Sequence, residues 1–107
     1  MACVPFTEDL PPTYLPGWHY KDLVAKMKYS KLGDTDLIVS KVGVGGGVAG
    51  GVYPDKGDMN EILEVVEPGI KSGINFLDTS PFYGDGKSEE VLGTCLRRIP
   101  RHCYYIA

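Results

Sequence analysis

Hydrophobic and polar positions along this chain alternate in two different periods, and each period predicts an element. Met27-Lys28-Tyr29-Ser30-Lys31-Leu32 alternates sides, Gly33-Asp34-Thr35-Asp36 is turn chemistry, and Leu37-Ile38-Val39-Ser40 returns, so residues 27–41 are predicted as a hairpin. Residues 42–44, Val-Gly-Val, predict a first short buried strand. From Asp58 to Ser72 apolar residues recur at Met59, Ile62, Leu63, Val66 and Ile70, which is helical spacing, with Asp58 suited to the N-cap and Glu61 to the third position. Pro68-Gly69 interrupts this run. An interior proline costs a helix about 3 kcal/mol, so a bend or stop is predicted near Glu67.

The second half repeats the alternation. Ile74, Phe76 and Leu77 predict a second strand, which turns polar at Asp78-Thr79-Ser80 and breaks at Pro81. Ser88 is predicted to cap a second helix reaching about Arg98, with Val91, Leu92, Cys95 and Leu96 inward. Glu89 and Glu90 fall in its first turn and Arg97 and Arg98 in its last, as the helix dipole prefers. Pro100 prevents continuation, and residues 103–107 predict a third strand. Before the hairpin, Pro5, Pro11, Pro12, Pro16 and Gly17 make residues 1–18 an extended leader, in which Tyr14, Leu15 and Trp18 are candidates to pack on a neighbouring surface. Residues 20–26 predict one short helical turn with Leu23 and Val24 inward. The chain divides into a Pro-rich leader, 1–26, and an α/β domain, 27–107, of hairpin followed by β-α-β-α-β. Such alternation implies a parallel sheet with right-handed crossovers.

The charge pattern narrows the function classes. The 107 residues are 43% hydrophobic and 23% charged, with net charge −3, which gives no clustered basic footprint for nucleic acid. No apolar run reaches the length of a membrane span, and the first ten residues do not read as a signal peptide. Cys3, Cys95 and Cys103 are odd in number, lack metal-ligand spacing and read as reduced thiols of a cytoplasmic protein. His19 and His102 fit no ligand pattern either, so no metal site is expected.

Chemistry concentrates at Gly73-Ile74-Asn75-Phe76-Leu77-Asp78-Thr79-Ser80-Pro81-Phe82-Tyr83-Gly84. A buried strand ending in a carboxylate, with a Tyr in the loop that follows, is how a parallel α/β sheet places reactive groups at its carboxyl edge. A free Tyr hydroxyl has a pKa of about 10 and donates reluctantly at neutral pH. A nearby cation makes it a useful acid by stabilising the phenolate, and a carboxylate beside the cation holds the cation in place. Asp78 suits the holder and Tyr83 the acid. A second candidate lies at Gly45-Gly46-Gly47-Val48-Ala49-Gly50, which satisfies G-x-G-x-x-G after a strand. A dinucleotide fingerprint of that kind requires a helix to open directly afterwards, whereas helix signals here begin only near Asp58.

Gly73, Asn75, Asp78, Thr79, Tyr83 and Gly84, followed by Lys87-Ser88-Glu89-Glu90-Val91-Leu92-Gly93, resemble the signature of the aldo-keto reductases, and in particular their L-galactose dehydrogenase-like branch. The likeness covers roughly residues 27–107. It implies the N-terminal segment of a (β/α)8 TIM barrel whose hairpin covers the barrel bottom. It also implies an NAD(P)-dependent oxidoreductase that moves hydride between the nicotinamide of NADP or NAD and a small carbonyl, alcohol or sugar-like substrate. Asp78 and Tyr83 match the first two members of the family's catalytic Asp-Tyr-Lys-His set, and Gly45, Gly46, Gly47 and Asp78 match positions that line the nicotinamide.

A complete barrel of this kind needs about 200 to 250 residues. Read this way, 107 residues are an incomplete barrel. The resemblance puts the Lys just after the third strand, beyond Ala107, and the His on a later strand. The expectation is a portion of a reductase, marginally stable by itself because open strand edges invite association. The alternative is a catalytically inactive chain that acts through association with a partner.

Overall fold

The buried positions of two helices and one strand decide the layering of the molecule. In the computed structural model, which describes residues 10–46, 59–82 and 85–107, the elements follow the order α1 (Lys21–Lys26), β1 (Tyr29–Lys31), β2 (Ile38–Ser40), β3 (Val44–Gly45), α2 (Met59–Lys71), β4 (Phe76–Asp78), α3 (Lys87–Leu96) and β5 (Tyr105–Ile106). β1 and β2 pair antiparallel as the predicted hairpin. The three later strands form a parallel sheet in the order β3-β4-β5, with β4 central. The observed architecture is therefore a hairpin followed by a β-α-β-α-β parallel unit, and the described strands do not close into a barrel.

Helices α2 and α3 cover one face of this sheet. Ile62, Val66 and Ile70 of α2 meet Val91, Leu92, Cys95 and Leu96 of α3 over Leu77 of β4, with Ile99, Cys103 and Tyr104 closing the cluster. Burial pushes the Cys95 and Cys103 thiols up from their ordinary range. Alternation along β4 turns Phe76 and Asp78 to the opposite face. Phe76 is half-buried there and Asp78 is exposed. No helix among the described residues is long and apolar enough to cross a membrane.

Several expectations are corrected. α2 runs through Pro68 to Lys71 instead of ending near Glu67. Val66 and Ile70, on either side of the proline, are both almost fully buried, and burying such side chains yields roughly 1.5–3 kcal/mol each. That offsets the local cost. The helix ends two residues later at Gly73, whose φ is +121°. The Gly73 N–H donates to Ile70 O and the Ile74 N–H to Gly69 O, the paired bonds of a Schellman cap. A side chain on Gly73 would also lie 2.6 Å from the Tyr29 hydroxyl.

Ser88 is not the cap of α3; Gly86, with φ +94°, holds that position and Ser88 is buried inside the first turn. Arg97 is the C-cap, so Arg97 and Arg98 fall outside the last turn. Val42 is 54% exposed, and the first strand of the sheet is the next pair, Val44–Gly45. Cys103 belongs to a 3₁₀ turn, Arg101–Cys103, which leaves β5 only Tyr105 and Ile106. In α1, Val24 is buried as expected, whereas Leu23 faces solvent.

The leader from Leu10 onward is tied down. Leu10 and Tyr14 pack on the cluster of Val24, Tyr29 and Ile38, and Leu15 and Trp18 pack on the main core. His19 Nδ1 accepts the Leu15 N–H at 2.9 Å, and burial holds its imidazole below the usual range. The Asp58 cap falls outside the described residues, as do residues 47–50 of the glycine run and the stretch after them on which the dinucleotide fingerprint depends.

Candidate active site

Parallel pairing brings the two glycine-bearing and carboxylate-bearing strand ends together. Gly45 is the register partner of Asp78 across β3 and β4. One residue further on, the Gly46 N–H donates to the Asp78 carbonyl at 2.7 Å, so the pairing continues past the end of β3. On the other side of β4 the Thr79 N–H donates to Ala107 O at 2.9 Å. The carboxyl edge is thus a row of three strand ends with Asp78 in the middle. Its carboxylate is exposed and has no ion-pair or hydrogen-bond partner among the described residues.

The glycines do two different jobs. Among the described residues a side chain at Gly45 would meet nothing within 4 Å, so none of them fills this position beside Asp78. A side chain at Gly46 would collide with Ser88 Oγ at 2.6 Å and with the Asp78 carbonyl at 2.8 Å. Gly46 is therefore needed for close packing of β3 against β4 and α3, which the sequence alone did not indicate. Gly47 and Tyr83 lie outside the described residues. Of the expected site residues, Gly45, Gly46 and Asp78 are brought together. Phe82, next to Tyr83, is 90% exposed at this edge, and its N–H donates to Ser80 Oγ at 3.1 Å.

Sequence reading missed the hydroxyl pair behind the carboxylate. Thr79 Oγ1 and Ser88 Oγ are 2.7 Å apart, with Ser88 fully buried. A signal was present: Ser88 precedes Val91, Leu92 and Cys95 at inward helical spacing. It also missed the reach of Asn75. Asn75 Nδ2 donates to Thr13 Oγ1 and Ile38 O, its Oδ1 accepts the Ser40 N–H, its N–H donates to Ser40 Oγ, and its carbonyl accepts the Tyr105 N–H. That one residue fastens leader, hairpin and β5 to β4, fixing the strand that carries Asp78.

Comparison with known proteins supplies a family for the chain. Residues 41–107 match the sequence profile described as the aldo/keto reductase family. Over 86 residues the chain is 37% identical to L-galactose dehydrogenase of Arabidopsis thaliana, covering 78% of this chain and 27% of that protein. Over 77 residues it is 35% identical to NADH-specific methylglyoxal reductase of Escherichia coli (strain K12), covering 70% and 24%. Over 71 residues it is 32% identical to aldo-keto reductase YhdN of Bacillus subtilis (strain 168), covering 66% and 22%. The chain spans about a quarter of the length of these relatives. A profile covering more than half of the chain, relatives 32–37% identical over 71–86 residues and a parallel β-α-β-α-β order all point one way, and the chain belongs to the aldo/keto reductase family.

Proposed function

We propose that this chain supplies the opening strands and helices of a cytoplasmic, nicotinamide-dependent aldo-keto reductase barrel, with Tyr83 as proton donor and Asp78 as the carboxylate that holds its activating cation. The observation that carries this reading is the exposed Asp78 carboxylate at the end of the central strand, register-paired with Gly45. Gly45, Gly46, Gly47 and Asp78 would hold the nicotinamide end of NADP or NAD. The space at Gly45 suits a flat ring, since no side chain of the described residues stands within 4 Å of it. When bound, that ring supplies hydride to a carbonyl carbon or takes it from an alcohol. Tyr83 protonates the carbonyl oxygen, or accepts the proton in the oxidative direction. Asp78 orients a lysine from the part of the barrel after β5 and keeps it charged, which lowers the cost of forming the phenolate. The substrate is a small carbonyl or sugar-like molecule, the class suggested by the names of the Arabidopsis and Escherichia relatives.

Two measurements test this. Titrating the chain with NADH and with NADPH is expected to change cofactor fluorescence at micromolar concentrations. In a complete barrel, made by exchanging residues 27–107 for the matching segment of the Arabidopsis relative, Tyr83→Phe is expected to abolish turnover and leave NADH binding largely intact. Undiminished turnover refutes the role of Tyr83. A second reading, association without catalysis, is favoured by the edges of β3 and β5, each paired on one side only among the described strands. Concentration-dependent self-association with no cofactor response would support it instead.

A further inference from the structure

Behind the proposed site, three elements meet at a point where none carries a charge. Ser88, fully buried in the first turn of α3, places its Oγ 2.7 Å from Thr79 Oγ1 at the end of β4. Gly46 closes the third side: its missing side chain leaves the space that Ser88 Oγ, the Asp78 carbonyl and Thr79 Oγ1 occupy, at 2.6, 2.8 and 3.2 Å from where a Cβ would stand. The same glycine donates its N–H to the Asp78 carbonyl. One hydroxyl of the pair must donate and the other accept, so the contact fixes the direction of both side chains.

We propose that Thr79 and Ser88 are positioning residues for the carboxyl edge: their paired hydroxyls set the spacing between the glycine floor of β3 and the carboxylate of Asp78. This rests on the reading of that edge as a nicotinamide site. α3 itself does not depend on the pair, because Val91, Leu92, Cys95 and Leu96 already anchor it. What the pair adds is a link from that anchored helix to the residue after Asp78, packed against the facing backbone at Gly46. A binding site whose walls are held by a second layer of contacts binds more tightly than one whose walls drift, since less order must be imposed on binding.

The test compares Thr79→Val, Thr79→Ser, Ser88→Ala and the double variant Thr79→Val/Ser88→Ala, each as the full chain, by thermal melting and NADH titration. Thr79→Val leaves the buried Ser88 hydroxyl, and Ser88→Ala the half-buried Thr79 hydroxyl, without this partner, and each lowers the melting temperature. The double variant removes both and restores it, because deleting both partners of a buried bond is nearly neutral. A merely structural pair would restore NADH affinity along with stability. A positioning pair keeps the double variant's affinity down by roughly fivefold, what one neutral hydrogen bond is worth, while Thr79→Ser binds as the wild type does. Wild-type affinity in the double variant overturns the proposal. If the wild-type chain gives no NADH response, the cofactor reading fails and amide exchange decides the positioning. Exchange at Gly46 is then expected to be roughly fivefold faster in the double variant than in the wild type, and equal rates overturn the proposal.

Discussion

Asn75, just before β4, and Asp78, at its end, stand three residues apart and are treated in opposite ways. Asn75, at the amino end of the sheet, is 1% exposed and commits both side-chain donors, its side-chain oxygen and its backbone groups to four residues in three other segments. Asp78, at the carboxyl end, is exposed, with a carboxylate that no described residue engages. The amino end is also where the hairpin and leader pile up, with Tyr29 reaching 44 residues along the chain to the Gly73 carbonyl. The difference separates two tasks. Polar groups that hold the fold are buried and fully partnered, whereas the group proposed for chemistry is left without a partner among the described residues, on a backbone fixed from behind.

The sharpest way to break that division is Asn75→Leu. The side chain would leave the Ser40 N–H, Ile38 carbonyl and Thr13 hydroxyl unpartnered in a buried place, at about 1–3 kcal/mol for each unsatisfied group. A loss of at least about 3 kcal/mol in urea unfolding is expected. A loss below about 1 kcal/mol would mean that the amino end is not what holds the sheet.

Tyr29→Phe comes next. It removes the 2.7 Å bond to the Gly73 carbonyl and should cost about 1–2 kcal/mol. It carries a pH signature as well. Burial raises the Tyr29 hydroxyl above its ordinary value, so the folded chain keeps that proton where the unfolded chain loses it. Stability from this group is complete below the unfolded pKa of about 10 and declines as pH rises above it. Unfolding measured from pH 8 to 11 should show that alkaline decline in the wild type and a shallower one in Tyr29→Phe.

The contrast between the two ends also explains what the chain made legible. Hairpin, helices and parallel order follow from local periodicity, and so did Asp78, since a carboxylate closing an apolar strand breaks the pattern visibly. Asn75 breaks it too, but its partners lie 35, 37 and 62 residues away, where no local rule reaches. Pro68 misled for the same reason: its cost is local, while the burial of Val66 and Ile70 that outweighs it is tertiary. Ser88 has the chemistry of a cap and the spacing of a core position, and packing against Thr79 and Gly46 decided for the core. Val42 shows the converse, an apolar residue read as buried that the hairpin's exit leaves in solvent.

Asp78→Asn should have the smallest effect on the fold and sharpens the comparison most. The exposed carboxylate gives up no described hydrogen bond or ion pair when it becomes an amide, so unfolding free energy is expected to stay within about 0.5 kcal/mol of the wild type. The substitution is nearly isosteric, and the backbone bond from Gly46 to the Asp78 carbonyl is untouched. What changes is a single negative charge beside the open position at Gly45. If that edge receives the nicotinamide, NADH titration of Asp78→Asn departs from the wild type while the melting curves superimpose. Asn75→Leu should do the reverse to first order, unfolding the chain before binding can be compared. A stability loss above about 1 kcal/mol in Asp78→Asn would place the carboxylate among the groups that hold the fold, and the division of labour between Asn75 and Asp78 would collapse.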